Sequence, residues 1–523
     1  MFSYGYVLAI LVAAVCPGKF VESTSLPKIT LKLKEYVSVF EAPREPGERG
    51  SRSIHVSEYY GKVAVGSPAQ YFDVVFDTGS GNIVLPTVKC SEEACQKHRR
   101  YLAKSSSSAI QIAFEDGTPL RADDEYDRDT TTITYGTGKL TGEYIRDKLC
   151  MDGEQDGQAC TDVDFLGVTQ ESRFPFIELP FDGIFGLGLA GLSAGVNFNF
   201  VGRLCGGNST IKEPIFAFFL RKLDVDEESE ITFGGFQPER LQGGLTWLPV
   251  PKDEADDKGY WLVTMRDIYV GGKPLGLCND VDQHQRCQVA MDTGTSLMMA
   301  PSYQVNPVLE AIGLADDCSN AEGLPTLRFV LDTAAGGTFE LELGPQEYME
   351  RSPGGCATAF QAIELPPTLG AMWVVGQTAL RKYYTVYDAK NWQVGVGLAR
   401  HSSTLLQASE PSTTQAAVEV SEKESCQDDN MHMSFSHLPG CKTFRDMGYC
   451  TRFKPLAHHY CRLSCELCHL PGGSPTLTDE AEQPMTAGDG DQALVRGRGM
   501  KIIRQRRQTI NEEEKPTSGW RLS

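Results

Sequence analysis

Val74-Val75-Phe76-Asp77-Thr78-Gly79-Ser80, with Pro86 beyond it, has a counterpart far along the same chain: Val289-Ala290-Met291-Asp292-Thr293-Gly294-Thr295, with Pro301 beyond it. In each copy an Asp ends an apolar, β-prone run, Thr-Gly follows, and a Pro stands nine residues after the Asp. Two equivalent turns, each delivering one carboxylate, imply a single site at the join of two similar lobes. Two carboxylates about 3 Å apart cannot both ionise cheaply, so one pKa rises and the other falls. The pair then titrates as a unit around one shared proton. The ionised member draws a proton from water, and the protonated member hydrogen-bonds a scissile carbonyl. This chemistry needs no metal and no cofactor, and none is expected.

The residues around Asp77 and Asp292 suit that role. Gly79 and Gly294 let the chain turn sharply behind each carboxylate. Thr78 and Thr293 are placed to hydrogen-bond across the join. Ser80 and Thr295 are placed to donate to the outer carboxylate oxygens, which would hold both acids in a fixed geometry.

The rest of the chain is β-rich in character. Its 523 residues include 52 Gly, and short apolar runs alternate with Gly, Pro, Asp and Asn. That length holds about three domains at roughly 150 residues each. A formal net charge of −20 argues against a nucleic-acid partner for the chain as a whole. It fits a protein that works in acid, and equally an ordinary solvated acidic surface.

Residues 7–16 are apolar but, at ten residues, too short for a bilayer, which needs about 20. They read as a secretory signal peptide cut between Ala14 and Ser25. No Lys or Arg precedes them, so a signal anchor is the alternative. No other stretch is long enough to span. The secretory route, ending outside the cell or in an acidic, lysosome-like compartment, is therefore expected, and sixteen cysteines imply disulfides there. Local spacing pairs Cys90 with Cys95, Cys150 with Cys160, Cys278 with Cys287, and Cys318 with Cys356. Cys16 is expected to leave with the signal. Cys205 is left over, either as a buried thiol or as an intermolecular link. Asn208-Ser209-Thr210 is the one N-glycosylation sequon.

The expected organisation is a signal peptide at 1–23, a pro-segment at 24–53, an N-terminal lobe at 54–245, a C-terminal lobe at 246–401, a linker at 402–425, a cysteine module at 426–468 and a disordered basic tail at 469–523. Lys28, Lys32 and Lys34 are candidates to neutralise the aspartates in a zymogen. The alternative is that the pro-segment stays as part of the mature enzyme. The tail holds six basic and no acidic residues between Arg496 and Arg507, so a processing site or an anionic-surface contact is a second reading of it.

Five motifs in order carry a resemblance: Asp77-Thr78-Gly79-Ser80, Tyr135-Gly136-Thr137-Gly138, Phe181-Asp182-Gly183-Ile184-Phe185-Gly186-Leu187-Gly188, Asp292-Thr293-Gly294-Thr295-Ser296 and Trp373-Val374-Val375-Gly376. Residues 57–400 resemble the pepsin-like aspartic proteases (family A1). The resemblance implies an all-β, bilobal fold and an aspartic endopeptidase made as a zymogen, expected as a monomer acting on peptide or protein substrates. It makes Asp77 and Asp292 the catalytic pair, and Tyr135, Gly136 and Thr137 the flap over the substrate. Ile184-Phe185-Gly186 and Val374-Val375-Gly376 become the segments packed behind the two catalytic loops. Two departures stand out. Val84 occupies the place of a family Trp that can hydrogen-bond the flap tyrosine, and Gln377 replaces the usual Asp.

Cys426, Cys441, Cys450, Cys461, Cys465 and Cys468 lie in a segment too small for its own core. Their spacing resembles the ShK-toxin-like (ShKT) domain. That resemblance implies the pairs Cys426–Cys468, Cys441–Cys461 and Cys450–Cys465, and a binding or targeting module with a protein partner. Five of the nine histidines fall within 426–469, but disulfides would consume the thiols that zinc needs, so no metal is expected. The alternative to an enzyme is an inactive pepsin-like binding protein whose ShKT-like module does the work.

Overall fold

A computed structural model of the chain describes residues 26–42, 50–121, 128–135, 138–151, 159–205, 211–278, 287–352, 355–365, 369–402 and 503–505. The architecture is mostly β, in two lobes sharing a central sheet. In that sheet the strands run in the order Thr246–Pro249, Gln393–Leu398, Tyr383–Asp388, Ile215–Phe219, Ser229–Phe233, Lys28–Ala42, Gly50–Val65, Gln70–Asp77, Gly183–Gly186, Ile83–Pro86, Cys160–Glu171, Gly138–Cys150, Thr130–Tyr135 and Ile503–Gln505. The second sheet runs Thr338–Leu343, Leu327–Asp332, Leu262–Val270, Gln288–Met291, Met372–Val375, Met298–Ala300, Phe360–Ala362.

The two Asp-bearing strands have equivalent surroundings. Gln70–Asp77 lies parallel to Gly183–Gly186, with Val75 opposite Ile184 and Asp77 opposite Gly186. Gln288–Met291 lies parallel to Met372–Val375, with Val289 opposite Trp373 and Met291 opposite Val375. On its other edge each apolar-apolar-Gly strand meets the strand after the Asp turn antiparallel, Ile83–Pro86 in one lobe and Met298–Ala300 in the other. These interior strands are buried on both faces, which is why Val-Val-Phe and Val-Ala-Met read as unbroken apolar runs. At the outer side of the C-terminal lobe Leu327–Asp332 alternates buried and half-buried residues, the period-2 pattern of a strand with one wet face.

Four disulfides join Cys90 to Cys95, Cys150 to Cys160, Cys278 to Cys287, and Cys318 to Cys356. Cys205 is also disulfide-bonded, to a cysteine outside the described residues, so it is not a free thiol. No described helix is long and apolar enough to cross a membrane. The stretches expected to be a signal peptide, a linker and an ShKT-like module, with the six cysteines of the last, lie outside the described residues, as does Asn208.

Lys28–Ala42, within the expected pro-segment, forms a long strand paired antiparallel with Gly50–Val65. Within the basic tail, Ile503–Gln505 pairs antiparallel with Thr130–Thr132, in register 503 to 132. The outer edge of a hairpin offers unpaired N–H and C=O groups, and such an edge takes up an added strand readily.

Candidate functional site: the join of the two Asp-Thr-Gly turns

Each Asp ends its strand just where the sheet gives out, so both carboxyls enter the join. Asp77 and Asp292 are each 9 % exposed. Gly79 N donates to Asp77 Oδ1 at 2.8 Å, and Gly294 N donates to Asp292 Oδ1 at 2.9 Å. The closeness of the turns is set by the glycines. A Cβ on Gly79 would fall 2.4 Å from Asp292 Oδ2, and one on Gly294 would fall 2.2 Å from Asp77 Oδ1. Neither space admits any side chain.

The threonines tie the turns together. Thr293 N donates to Thr78 Oγ1 at 3.0 Å, and Thr78 N donates to Thr293 Oγ1 at 3.2 Å. Their hydroxyls donate in turn across the join, Thr78 Oγ1 to Met291 O and Thr293 Oγ1 to Phe76 O, each at 2.7 Å. Thr295 Oγ1 donates to Asp292 Oδ2 at 2.7 Å. Ser80 behaves differently from its counterpart. Its hydroxyl is buried without a hydrogen-bond partner, although it lies near enough to Asp77 to draw that carboxyl's pKa down.

Burial, then the adjacent charge of Asp292, pushes Asp77 well above the ordinary carboxylate range. Burial raises Asp292 too, but donors from Thr295, Gly294 and Asp77 oppose it. Both carboxyls are thus raised by burial and lie against each other, so they bind and release protons as a pair and not as two separate acids.

Over the pair stands the hairpin of Thr130–Tyr135 and Gly138–Cys150, with Tyr135 opposite Gly138. Its tip residues, Gly136 and Thr137, lie outside the described residues. The Tyr135 hydroxyl is buried without a hydrogen-bond partner. Burial first, then the charge of Asp77, raises its pKa. Val84 has no hydrogen-bonding group to draw that hydroxyl away, and Tyr135 packs against the cluster that contains Val84. The second departure has a defined role: Gln377 is fully buried, takes a hydrogen bond from Ser57 Oγ at 3.1 Å and donates to Thr293 O at 2.8 Å. It braces the back of the second turn without adding a third buried carboxylate.

Sequence reasoning missed Tyr260. Burial, then the charges of Asp292 and Asp77, raises its pKa, and its ring packs with Leu262, Ala290 and Val374. The signal available was Gly259-Tyr260-Trp261 just ahead of the strand that pairs with Gln288–Met291. Gly191-Leu192-Ser193-Ala194-Gly195 spells the pattern of a serine nucleophile turn. Ser193 instead donates to Gly81 O at 2.8 Å and accepts from Asn199 at 3.0 Å, as a structural hydroxyl. Cys90, Glu92 and Cys95 cluster at metal-ligand distances, but both sulfurs are spent in the Cys90–Cys95 disulfide. Lys28 and Lys32 do not reach the aspartates. They face Glu230 at 3.4 Å and Asp73 at 3.8 Å, because their strand is held in the sheet and not in the cleft.

Comparison with known proteins agrees with this arrangement. The family model described as eukaryotic aspartyl protease matches residues 58–399. The chain is 31 % identical to plasmepsin VI of Plasmodium berghei (strain Anka) over 364 residues, covering 67 % of this chain and 77 % of that protein. It is 30 % identical to mouse cathepsin E over 385 residues, covering 70 % and 86 %. With bovine pepsin A the identity is 29 % over 383 residues, covering 70 % and 93 %.

Proposed function

The chain belongs to the eukaryotic aspartyl protease family, and from that premise we propose that Asp77 and Asp292 are its catalytic pair, hydrolysing peptide bonds with one shared proton. The observation that carries this is the mutual burial of the two carboxyls, each against the other's glycine. As an aspartic endopeptidase, the protein takes an extended peptide beneath the Tyr135 hairpin, with alternate side chains facing alternate walls. The ionised member of the Asp77–Asp292 pair accepts a proton from water as the water oxygen bonds to the scissile carbon. The proton on the other member passes to the carbonyl oxygen, giving a tetrahedral diol. The diol then collapses: the carboxyl that took the water's proton gives it to the nitrogen, a diol hydroxyl returns its proton to the other carboxylate, the C–N bond breaks, and the two peptides leave with one proton again on the pair. Preorganisation by Gly79 N, Gly294 N and Thr295 keeps the acids in place throughout.

Burial raises both aspartates, which keeps at least one proton on the pair through the acid range, and the net charge of −20 suits an acidic setting. The disulfides support passage through the secretory route, ending outside the cell or in an acidic vesicle. The ShKT-like module is assigned a binding or targeting role toward a protein partner, carried by its cysteine spacing alone.

Digestion of a denatured protein, followed from pH 2 to 8 with and without pepstatin, tests the assignment. Acid-dependent cleavage that pepstatin stops is expected. No cleavage after every activation treatment would favour an inactive binding protein.

A further inference from the structure

We propose that the outer edge of the Tyr135 hairpin is a docking site for the chain's own basic tail, and that the docked tail restrains the hairpin. The effect on cleavage rests on the reading of Asp77 and Asp292 as the catalytic pair. The strand Thr130–Tyr135 has two edges. Its inner edge pairs with Gly138–Cys150, Thr130 opposite Glu143 and Thr132 opposite Thr141. On its outer edge Ile503, Arg504 and Gln505 stand antiparallel, opposite Thr132, Thr131 and Thr130. No other described strand pairs with that edge. Exposed edges are usually blunted by Lys or Pro, and Thr130-Thr131-Thr132 carries neither. Three β-branched residues in a row suit strand pairing instead.

The tail matches this edge in pattern and in charge. Ile502-Ile503 is a β-branched pair set among six basic residues, with no acidic one, between Arg496 and Arg507. Residues 115–129, which lead into Thr130, hold seven acidic residues and two basic ones. Because the pairing is antiparallel, the chain leaves Gln505 toward Arg506-Arg507 at the same end where residues 115–129 arrive at Thr130. Arg128 does not neutralise that stretch. Its guanidinium is turned inward, 3.0 Å from Glu143, and donates to Ile112 O and Tyr144 O. The tail lies beyond residues 58–399, the part that the family model matches, so this contact is an addition to the protease fold. A two-stranded ribbon is weak alone, and a third strand steadies it. The hairpin has to lift for an extended peptide to enter beneath it. A tail paired as far as Thr132, three residues from Tyr135, therefore slows entry. With only three residue pairs, and charges that salt screens over about 10 Å at 0.1 M, the tail comes off readily.

The test compares the full chain with a full-length variant carrying Arg504→Pro and Gln505→Pro. Neighbouring strand residues send their N–H groups to opposite sides, so one proline removes a donor whichever residue faces the hairpin. Hydrogen exchange is read at residues 130–135, and kcat/KM on a denatured protein at pH 4. The variant is expected to exchange roughly tenfold faster at 130–132, faster also at 133–135, and to cleave about threefold faster. A synthetic peptide of residues 496–510, added to the variant, is expected to restore protection and slow cleavage, and about 500 mM salt to reverse both. Unchanged exchange at 130–132 in the variant would overturn the docking. Faster exchange there, with 133–135 and cleavage both unmoved, would overturn the restraint. If neither chain cleaves, the catalytic assignment fails, while exchange at 130–135 still decides this one.

Discussion

Thr78 and Thr293 exchange backbone-to-hydroxyl hydrogen bonds across the join, Thr293 N to Thr78 Oγ1 at 3.0 Å and Thr78 N to Thr293 Oγ1 at 3.2 Å. The two turns are thereby one rigid object, although 215 residues separate them. Thr→Val at either position keeps the shape and removes the hydroxyl, leaving a buried N–H without an acceptor. Each single variant should cost about 1–3 kcal/mol of stability. The pair in a double-mutant cycle should show coupling of about 0.5–3 kcal/mol. Denaturant melts and kcat/KM measure both, and additive losses would contradict a shared lock.

Tyr135 offers a contrast. Its hydroxyl is buried and unpartnered, so Tyr135→Phe removes a group that makes no hydrogen bond in this structure. Stability should stay level or rise by about 1 kcal/mol. Tyr135→Ala should lower kcat/KM at least tenfold if the ring serves as the proposed cover of the site. A stability loss in the Phe variant as large as that in the Ala variant would show that the hydroxyl has a partner.

Glu171 predicts the neutral limit of the fold. Its Oε2 lies 3.2 Å from Cys95 Sγ, and a disulfide sulfur has no proton to give, so the carboxyl must be the donor. Burial, then the charge of Glu92, pushes its pKa up to about 7. A carboxyl raised in the folded state stabilises fully below its unfolded value near 4.3, and that contribution fades as pH rises through about 7. With the group partly exposed, about 1–3 kcal/mol should be lost across that window. Glu171→Gln should flatten the slope, as read from melting temperatures at pH 4 to 8. An unchanged slope would remove Glu171 as its source.

Cys205 gives a covalent test. Non-reducing peptide mapping should find its peptide joined to a second one. Eight of the sixteen cysteines lie in the four described bridges and six lie between Cys426 and Cys468. If those six close on one another, Cys16 is the partner left, and a signal cut would then fall before it. A free thiol at Cys205 would contradict its bonded state.

The repeated Asp-Thr-Gly phrases were enough to foretell the two-lobed join, because a short apolar run and a tight turn are written locally. The local cysteine pairs were readable for the same reason. What the chain did not reveal depends on distant partners. The burial of Ile29 and Leu31 follows from Ser229–Phe233, some 200 residues away. Tyr260 gains its meaning only from carboxyls on two other strands. Ser80 and Thr295 are equivalent in sequence, yet only Thr295 reaches its carboxylate. Rotamer choice at that scale is set by packing and not by motif.

The central claim is that Asp77 and Asp292 act as a unit around one proton. Its most direct test is kcat/KM against pH from 2 to 8 for the wild type, Asp77→Asn and Asp292→Asn, each checked for native melting. The wild type should give a bell-shaped profile with two apparent pKa values belonging to the pair, and each variant should fall at least about a thousandfold at every pH. Either variant retaining the wild-type rate, with its profile unmoved, would contradict the account.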